Sequence, residues 1–286
     1  MRNFVLITGA SSGIGEAACK LLTEKNYEVL ACVRNQEDGE RLLTLYGIKI
    51  HTLIMDVTEQ GSIDRAKDLA RQIMGSDPMV AIINNAGIVV AGAVLYIPIE
   101  EWRRQLDVNV LGVIRVTQAF FEFLKMDDAG DHPRRIINIS SVSGLFASPF
   151  IGAYAASKFA LEALSDSLRR ELYMYDIQVV IIEPGNIDTP IWKKAKESEP
   201  FTGPEHASIA KFRDQVIESN LSEGLAVDVV ADCILKCVRQ RRVRPRYLIR
   251  AKIWKFKIIR RIPVAWVDKM IRNKLRLKSG ISPFQQ

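Results

Sequence analysis

The 286-residue chain is 48% hydrophobic and 26% charged, which suits one large soluble globular domain, or one domain with an appendage. No uninterrupted apolar run approaches bilayer-spanning length, and no basic, apolar and cleavage-site sequence precedes the first strand-like run, so neither a membrane span nor a secretory leader is expected. Cys19, Cys32, Cys233 and Cys237 form no CxxC pair and His51, His132 and His206 lack ligand spacing, which argues against a disulfide framework or metal site and for reduced thiols in a cytoplasmic protein.

Along the chain, strand and helix signals alternate. "NFVLIT" (3–8) reads as a first strand, followed by glycines and a helix from "EAACKLLTEK". "YEVLACVR" (27–34) is a second strand and a polar helix runs from it to about Leu45. "IKIHTLIMDV" (48–57) is a third, with Thr58 as the expected cap of a helix around 59–75. "MVAIINNAG" (79–87) is a fourth, and one long helical stretch over 99–125 leads to "RRIINISS" (134–141), the fifth. A helix containing Tyr154 precedes "IQVVIIEPG" (177–185), the sixth. Such nearly continuous apolar runs suit strands buried on both faces. Their alternation with helices predicts an α/β, Rossmann-type, doubly wound parallel sheet in a single domain, 1–250.

Beyond Pro184-Gly185 the pattern loosens. Residues 186–222 read as a loop with one or two short helices, "LAVDVVADCILKCVRQ" as a helix and "PRYLIR" (245–250) as the last strand. The remainder, 251–286, is a basic extension. From Arg239 to Lys278 there are 16 Lys and Arg against one acid, Asp268, a local +15 within a total of +7, which leaves −8 for the rest. "VAWVDKMIRNKLRL" (264–277) puts Val264, Val267, Met270, Ile271 and Leu275 on one helical face, with Lys269, Arg272 and Arg276 largely opposite. Upstream, Trp254 and Phe256 are interleaved with basic residues. The combination suits peripheral contact with anionic lipid through 251–278. A helix that caps the domain or a dimer fits equally well, and no nucleic-acid module is recognisable.

Three features carry chemistry. The first is "ITGASSGIG" (7–15) between the first strand and the first helix. Gly9, Gly13 and Gly15 allow a tight turn that brings a diphosphate against free helix-N-terminal amides, although a plain glycine turn is the bland alternative. The second is Tyr154 and Lys158 in "GAYAASKFALEAL" (152–164), which share a helical face close to the apolar stripe Leu161, Leu164, Leu168 and Leu172. An unpaired buried lysine is costly. A tyrosine near its usual pKa of about 10 is a poor proton exchanger, and bringing it to about 7 needs roughly 4 kcal/mol. A cation about 4 Å away at an effective dielectric of about 20 supplies that much, so Lys158 is expected to lower the phenol pKa. The third is Arg34 after the second strand, where a guanidinium can fork onto a phosphate or simply face solvent.

With "NNAG" at 84–87, these residues resemble the classical short-chain dehydrogenase/reductase family over residues 3 to about 250. Further matches are Asp56, Asn109 in "LDVNVLG", "NISS" at 138–141 and "PGNIDT" at 184–189. The resemblance implies an oxidoreductase in which Tyr154 is the acid/base, Lys158 also holds the nicotinamide ribose, Ser141 hydrogen-bonds the substrate oxygen and Asn109 completes a proton relay. It implies cofactor contacts from Gly9, Ser11, Ser12, Gly13, Ile14 and Gly15, and from Asp56 and Val57 beside the adenine. Asn85, Ala86 and Gly87 would line the ribose-nicotinamide side, with Pro184, Gly185, Ile187 and Thr189 toward the carboxamide. In NAD-selective relatives an acid closes the second strand; here Val33 and Arg34 stand there, which favours NADP(H) over NAD(H). Ser12, where many NADP-binding relatives carry a second basic residue, counts the other way.

The substrate loop, 186–222, offers Ile187, Ile191, Trp192 and Phe201, joined by Phe146, Pro149 and Phe150, a lining suited to a lipophilic alcohol or carbonyl. The overall flavour resembles retinol, hydroxysteroid and other lipid-alcohol members. A homodimer or homotetramer formed through 99–125 and 154–174 is also implied. The alternative is a catalytically idle cofactor-binding or membrane scaffold, and the presence of both Tyr154 and Lys158 speaks for the enzyme.

Overall fold

The computed structural model describes residues 2–125, 133–197, 213–218, 224–251, 253–259 and 261–275. Seven strands form one parallel sheet in the order β3-β2-β1-β4-β5-β6-β7. They are β1 (Phe4–Thr8), β2 (Glu28–Val33), β3 (Ile50–Ile54), β4 (Met79–Asn84), β5 (Arg134–Ile139), β6 (Ile177–Pro184) and β7 (Arg246–Ile249). The helices are α1 (Gly13–Glu24), α2 (Gln36–Tyr46), α3 (Gln60–Met74), α4 (Ile99–Leu106), α5 (Gly112–Leu124), α6 (Gly152–Glu171), α7 (Pro190–Glu197), α8 (Val227–Arg239), α9 (Ile253–Ile259) and α10 (Val264–Leu275). The predicted doubly wound sheet is therefore present, with β7 closing it beyond the substrate loop.

Strand alternation divides the core into two layers. Val5 and Ile7 of β1 face one layer with Ala18, Cys19 and Leu22 of α1 and Val230 and Ile234 of α8. Phe4 and Leu6 face the other, with Ile63 and Ala66 of α3 and Val116 and Phe120 of α5. Both faces are apolar because both are covered, which is why the strands read as unbroken hydrophobic runs. Arg135 in β5 is fully buried. Its guanidinium donates to the carbonyls of Cys237, Gln240 and Arg241, closing the C-terminal end of α8, where carbonyls lack helical partners.

One local expectation is corrected. Thr58 does not cap α3; Glu59 is the N-cap residue, and Thr58 is held by Asp56, whose Oδ1 accepts from its amide and hydroxyl at 2.8 and 2.7 Å. The stretch expected to be helical over 99–125 is helical from Ile99 to Leu124, with a π-turn over Asp107–Leu111 joining α4 to α5. All four cysteines are free. Among the described residues, no helix is long and apolar enough to cross a membrane, and no group of three or more potential ligands could hold a metal ion.

Candidate active site

Strand order reverses direction of growth between β1 and β4, so their carboxyl ends open a crevice. The glycine turn lies there. Gly9 and Gly13 have φ of +64° and +57°, a region costly for other residues. A Cβ at Gly15 would lie 2.2 Å from the Gly9 carbonyl and 2.6 Å from Asn85 Nδ2, so only glycine fits. Ser12, the N-cap residue of α1, makes no side-chain cap, which leaves the helix end suited to an anion. From the opposite side, Thr189 approaches within 3.2 Å of where a Gly13 Cβ would stand. Ser11, Ser12, Gly13 and Ile14 thus border a cradle between β1, β4 and the segment after β6, which fits the diphosphate of a dinucleotide.

Several predicted cofactor residues hold this cradle in shape. Asn85 donates from Nδ2 to the carbonyls of Thr8 and Gly9 at 2.9 and 3.0 Å. Thr8 Oγ1 accepts from the amides of Asn85 and Ala86 at 3.0 Å each. Asn85 therefore braces the glycine turn through Nδ2. Val57 packs against Gly112, where a Cβ would lie 2.8 Å from Val57 Cγ2. Gly185, after Pro184, donates to the Ile249 carbonyl at 2.7 Å. Ile187 is buried and pairs with Leu225 in an isolated parallel bridge. Arg34 is exposed between β2 and α2.

One brace is absent from the sequence reading. Arg41 of α2 donates to the Ser11 carbonyl and to both oxygens of Glu16, which also accepts from the Tyr46 hydroxyl. An acid in the first turn of α1 would oppose an anion; here Arg41 offsets it.

The second cluster surrounds α6. Tyr154 is buried, and its ring meets Trp192 of α7 edge-on, centroids 5.8 Å apart. Val89, Ala91, Ile151 and Ile217 complete the apolar surroundings. Ile191 packs against this group. Ser141, just after β5, accepts from the Ser143 amide at 3.1 Å, and its hydroxyl is close enough to the phenol to lower its pKa. Lys158 Nζ donates to the Ile139 carbonyl at 2.8 Å and stands 5.8 Å from the Tyr154 ring centroid.

This arrangement corrects the expected effect of the lysine on the tyrosine. Burial pushes the phenol up to about 12, with only the Ser141 hydroxyl acting the other way. The ammonium is directed at a strand carbonyl, and an apolar shell penalises the phenolate. The lysine is itself pushed down to about 8 by burial, against the attraction of Glu162. At neutral pH the pair is a phenol beside an ammonium, so the tyrosine is equipped to give a proton.

Asn109 sits in the π-turn, fully engaged. Its Oδ1 accepts from the Ile88 amide at 2.9 Å, while Nδ2 donates to the Ile88 carbonyl at 3.1 Å and to Ser157 Oγ at 3.0 Å. Its side chain ties the segment after β4 to α6. Gly87 lies beside it, an added Cβ there falling 3.4 Å from Asn109 Oδ1. Of the substrate-side residues, Phe146 meets Phe256 of α9 edge-on at 6.5 Å, and Phe150 holds a left-handed φ of +64° while its carbonyl accepts from Gly92 at 2.7 Å. The predicted loop is helical over α7 and over 213–218; Phe201 lies outside the described residues.

Comparison with known proteins agrees with this geometry. A family model described as short chain dehydrogenase matches residues 3–200. The NADPH-dependent 3-dehydrocapnine reductase of Ornithobacterium rhinotracheale is 34% identical over 275 residues, 96% of this chain and 97% of that protein. The 17-beta-hydroxysteroid dehydrogenase type 6 of Bos taurus is 32% identical over 258 residues, 85% and 79% of the two chains. Among solved structures, a short chain dehydrogenase/reductase from Burkholderia phymatum in complex with NAD has a TM-score of 0.79 at 20% identity, covering 100% of this chain and 98% of that one. That last likeness is one of fold.

Proposed function

The chain belongs to the short-chain dehydrogenase family of oxidoreductases, and we propose that it reduces the carbonyl of a lipophilic, lipid-like substrate with NADPH. The observation that carries this reading is a phenol held protonated in an apolar enclosure, with the Ser141 hydroxyl in reach. The cofactor would supply the hydride. Tyr154 gives the proton to the forming alkoxide, Ser141 holds the substrate oxygen, and Lys158 holds the nicotinamide ribose hydroxyls. Asn109 fixes α6 against the segment after β4 and stands where a proton relay would pass. The glycine turn receives the diphosphate, Asp56 and Val57 flank the adenine, and Gly87, Pro184, Gly185, Ile187 and Thr189 border the nicotinamide end. Support for a lipid-like ketone comes from the near full-length likeness to a 3-dehydrocapnine reductase and from Trp192, Val89 and Ile151 around the phenol. Oxidation of the corresponding alcohol is the reverse of the same chemistry.

NADP(H) preference rests on Arg34, an exposed cation beyond β2 where an acid would select NAD(H). A charge-assisted hydrogen bond contributes about 1.5–3 kcal/mol. Arg34→Ser is therefore expected to lower kcat/KM for NADPH by about tenfold to a hundredfold and leave that for NADH nearly unchanged. Parallel assays with both cofactors across a panel of lipophilic ketones and aldehydes test this. A wild-type preference for NADH would overturn the cofactor reading alone.

Two partner surfaces follow. Exposed Leu106, Leu111 and Phe159 on α4, the π-turn and α6 suit a homodimer or homotetramer. On α9 and α10, Trp254, Ile258, Val264, Trp266 and Met270 are exposed among basic residues, while Val267 and Ile271 are half-buried; Arg276 and the rest of the extension lie outside the described residues. These helices suit peripheral docking to anionic lipid by the appendage 251–286. Co-sedimentation with phosphatidylglycerol vesicles is expected, with loss in high salt and in Trp266→Asp, and none with neutral phosphatidylcholine vesicles. Equal binding to both vesicle types would contradict the electrostatic part.

A further inference from the structure

One helical turn beyond Lys158 on α6 lies a charged cluster that hydride transfer does not use. Glu162 follows Lys158 by one helical turn on α6, so the two share a face, and both are about 6% exposed. Ser140, on the turn between β5 and Ser141, closes the group. A Cβ on Gly144 would lie 3.0 Å from each of Glu162 Cγ, the Lys158 carbonyl oxygen and Ser140 Oγ, which puts the Glu162 stem beside Ser140 and the main chain of Lys158.

Arg246 reaches this cluster from β7. It pairs through Nη1 with Glu162 and, at 3.0 Å, with Glu183 of β6, and through Nη2 with Asp166 of α6 at 2.9 Å. One guanidinium therefore faces three carboxylates. Arg246 takes only one oxygen of Glu162; the other, Oε1, is buried with no hydrogen-bond partner, as is Ser140 Oγ. Burial pushes the Glu162 carboxyl up, and the Glu183 charge adds to that, against the attraction of Arg246. Lys158, beside this cluster, has no carboxylate in direct contact among the described residues: its ammonium donates to the Ile139 carbonyl and stands 5.8 Å from the Tyr154 ring centroid.

We propose that Glu162, anchored by Arg246, is a positioning residue that acts through Lys158, its carboxylate holding the ammonium charged and in place for the ribose. The inference rests on the role given to Lys158 above. Arg246 fixes the carboxylate from the sheet edge and leaves one oxygen buried without a hydrogen-bond partner. The other groups facing the pair are Tyr154 on α6, Ser140 and Ser141 after β5, Glu183 on β6 and Asp166 on α6. Of these, Glu162 is the charge that favours the ammonium.

The test is the titration of Lys158 itself, followed by NMR of 13Cε-lysine-labelled full-length protein, with the resonance assigned by its absence in Lys158→Met. Glu162→Gln keeps the shape and removes the charge. Its Lys158 midpoint is expected to fall by about one pH unit, a tenfold change in the protonation ratio. Glu183→Gln, which disturbs the same Arg246 bridge but is not opposite Lys158, leaves the midpoint in place. Glu162→Asp retains most of it and serves if the glutamine variant does not fold. In turnover, the alkaline limb of kcat/KM moves down by the same unit in Glu162→Gln, so activity falls about tenfold near pH 9 and little at pH 6. An unmoved lysine midpoint, or a loss of activity uniform across pH, overturns the proposal. Because the NMR titration needs neither cofactor nor substrate, a wrong functional reading would leave the midpoint shift intact and abolish only the kinetic limb.

Discussion

Tyr154→Phe is expected to lower kcat for carbonyl reduction by about a thousandfold, within the range assigned to a positioned acid, and to change the dissociation constant for NADPH by less than about twofold. The substitution removes one hydroxyl and keeps the ring that meets Trp192 edge-on. The fold has little reason to respond, since the ring stays buried and only the hydroxyl is lost. The pH profile carries a second signature. Because burial pushes the phenol up to about 12, the proton-donating form persists throughout the neutral and mildly alkaline range. Reduction should therefore stay level to about pH 8 and decline above it as Lys158, held near 8, loses its charge. Oxidation, which needs the phenolate and the charged lysine together, should rise with pH to about 8 and level off above it. Kinetics in both directions from pH 6 to 10 check this. A reduction rate that falls below pH 8 in step with a phenol titration would contradict it.

Lys158→Met is expected to abolish turnover and at the same time stabilise the fold. Burial pushes the ammonium from its ordinary 10.5 to about 8, a penalty on the order of 3 kcal/mol. Methionine fills much of the same volume without that penalty, although the Ile139 carbonyl loses its donor, a loss of about 1–3 kcal/mol. A net gain of about 1 kcal/mol at pH 7 is expected. The sign with pH is fixed by linkage. The folded lysine binds its proton more weakly than the unfolded one, so wild-type stability from this group rises as pH climbs from 8 toward the unfolded value. The variant's advantage is full below about pH 8 and shrinks toward pH 10. Urea unfolding at pH 7 and pH 9.5 measures it. A variant less stable than wild type at both values would mean that the Ile139 contact outweighs the burial of charge.

Much of this molecule is legible one residue at a time. All seven strands stand where the apolar runs predict them, and the central ones read as nearly continuous Val, Ile and Leu because both of their faces are covered. The glycine turn is equally plain, since the positive φ at Gly9 and Gly13 and the 2.2 Å clearance at Gly15 admit no other residue. What escapes is what depends on distant partners. The π-turn at Asp107–Leu111 has no proline or glycine to announce it in "LDVNVL"; it presents Asn109 to Ile88 and Ser157, contacts that no helical periodicity encodes. Arg41 reads as one charge on a polar helix until the fold brings it to Glu16 and Ser11. The state of the tyrosine is the most instructive case. Helical spacing correctly brings Lys158 near Tyr154, but spacing says nothing of where the ammonium points. The Ile139 carbonyl takes it, and desolvation rather than charge attraction governs the phenol.

The most direct test of the central claim is transfer of a labelled hydride. NADPH carrying deuterium at the nicotinamide C4, stereospecifically in each of the two positions, is incubated with the enzyme and a lipophilic long-chain ketone, and the alcohol is analysed by mass spectrometry. The account predicts one deuterium at the former carbonyl carbon from one of the two labelled cofactors, with no product from Tyr154→Phe above about a thousandth of the wild-type rate. Unlabelled alcohol from both cofactors, or equal product from the phenylalanine variant, would contradict hydride transfer assisted by Tyr154.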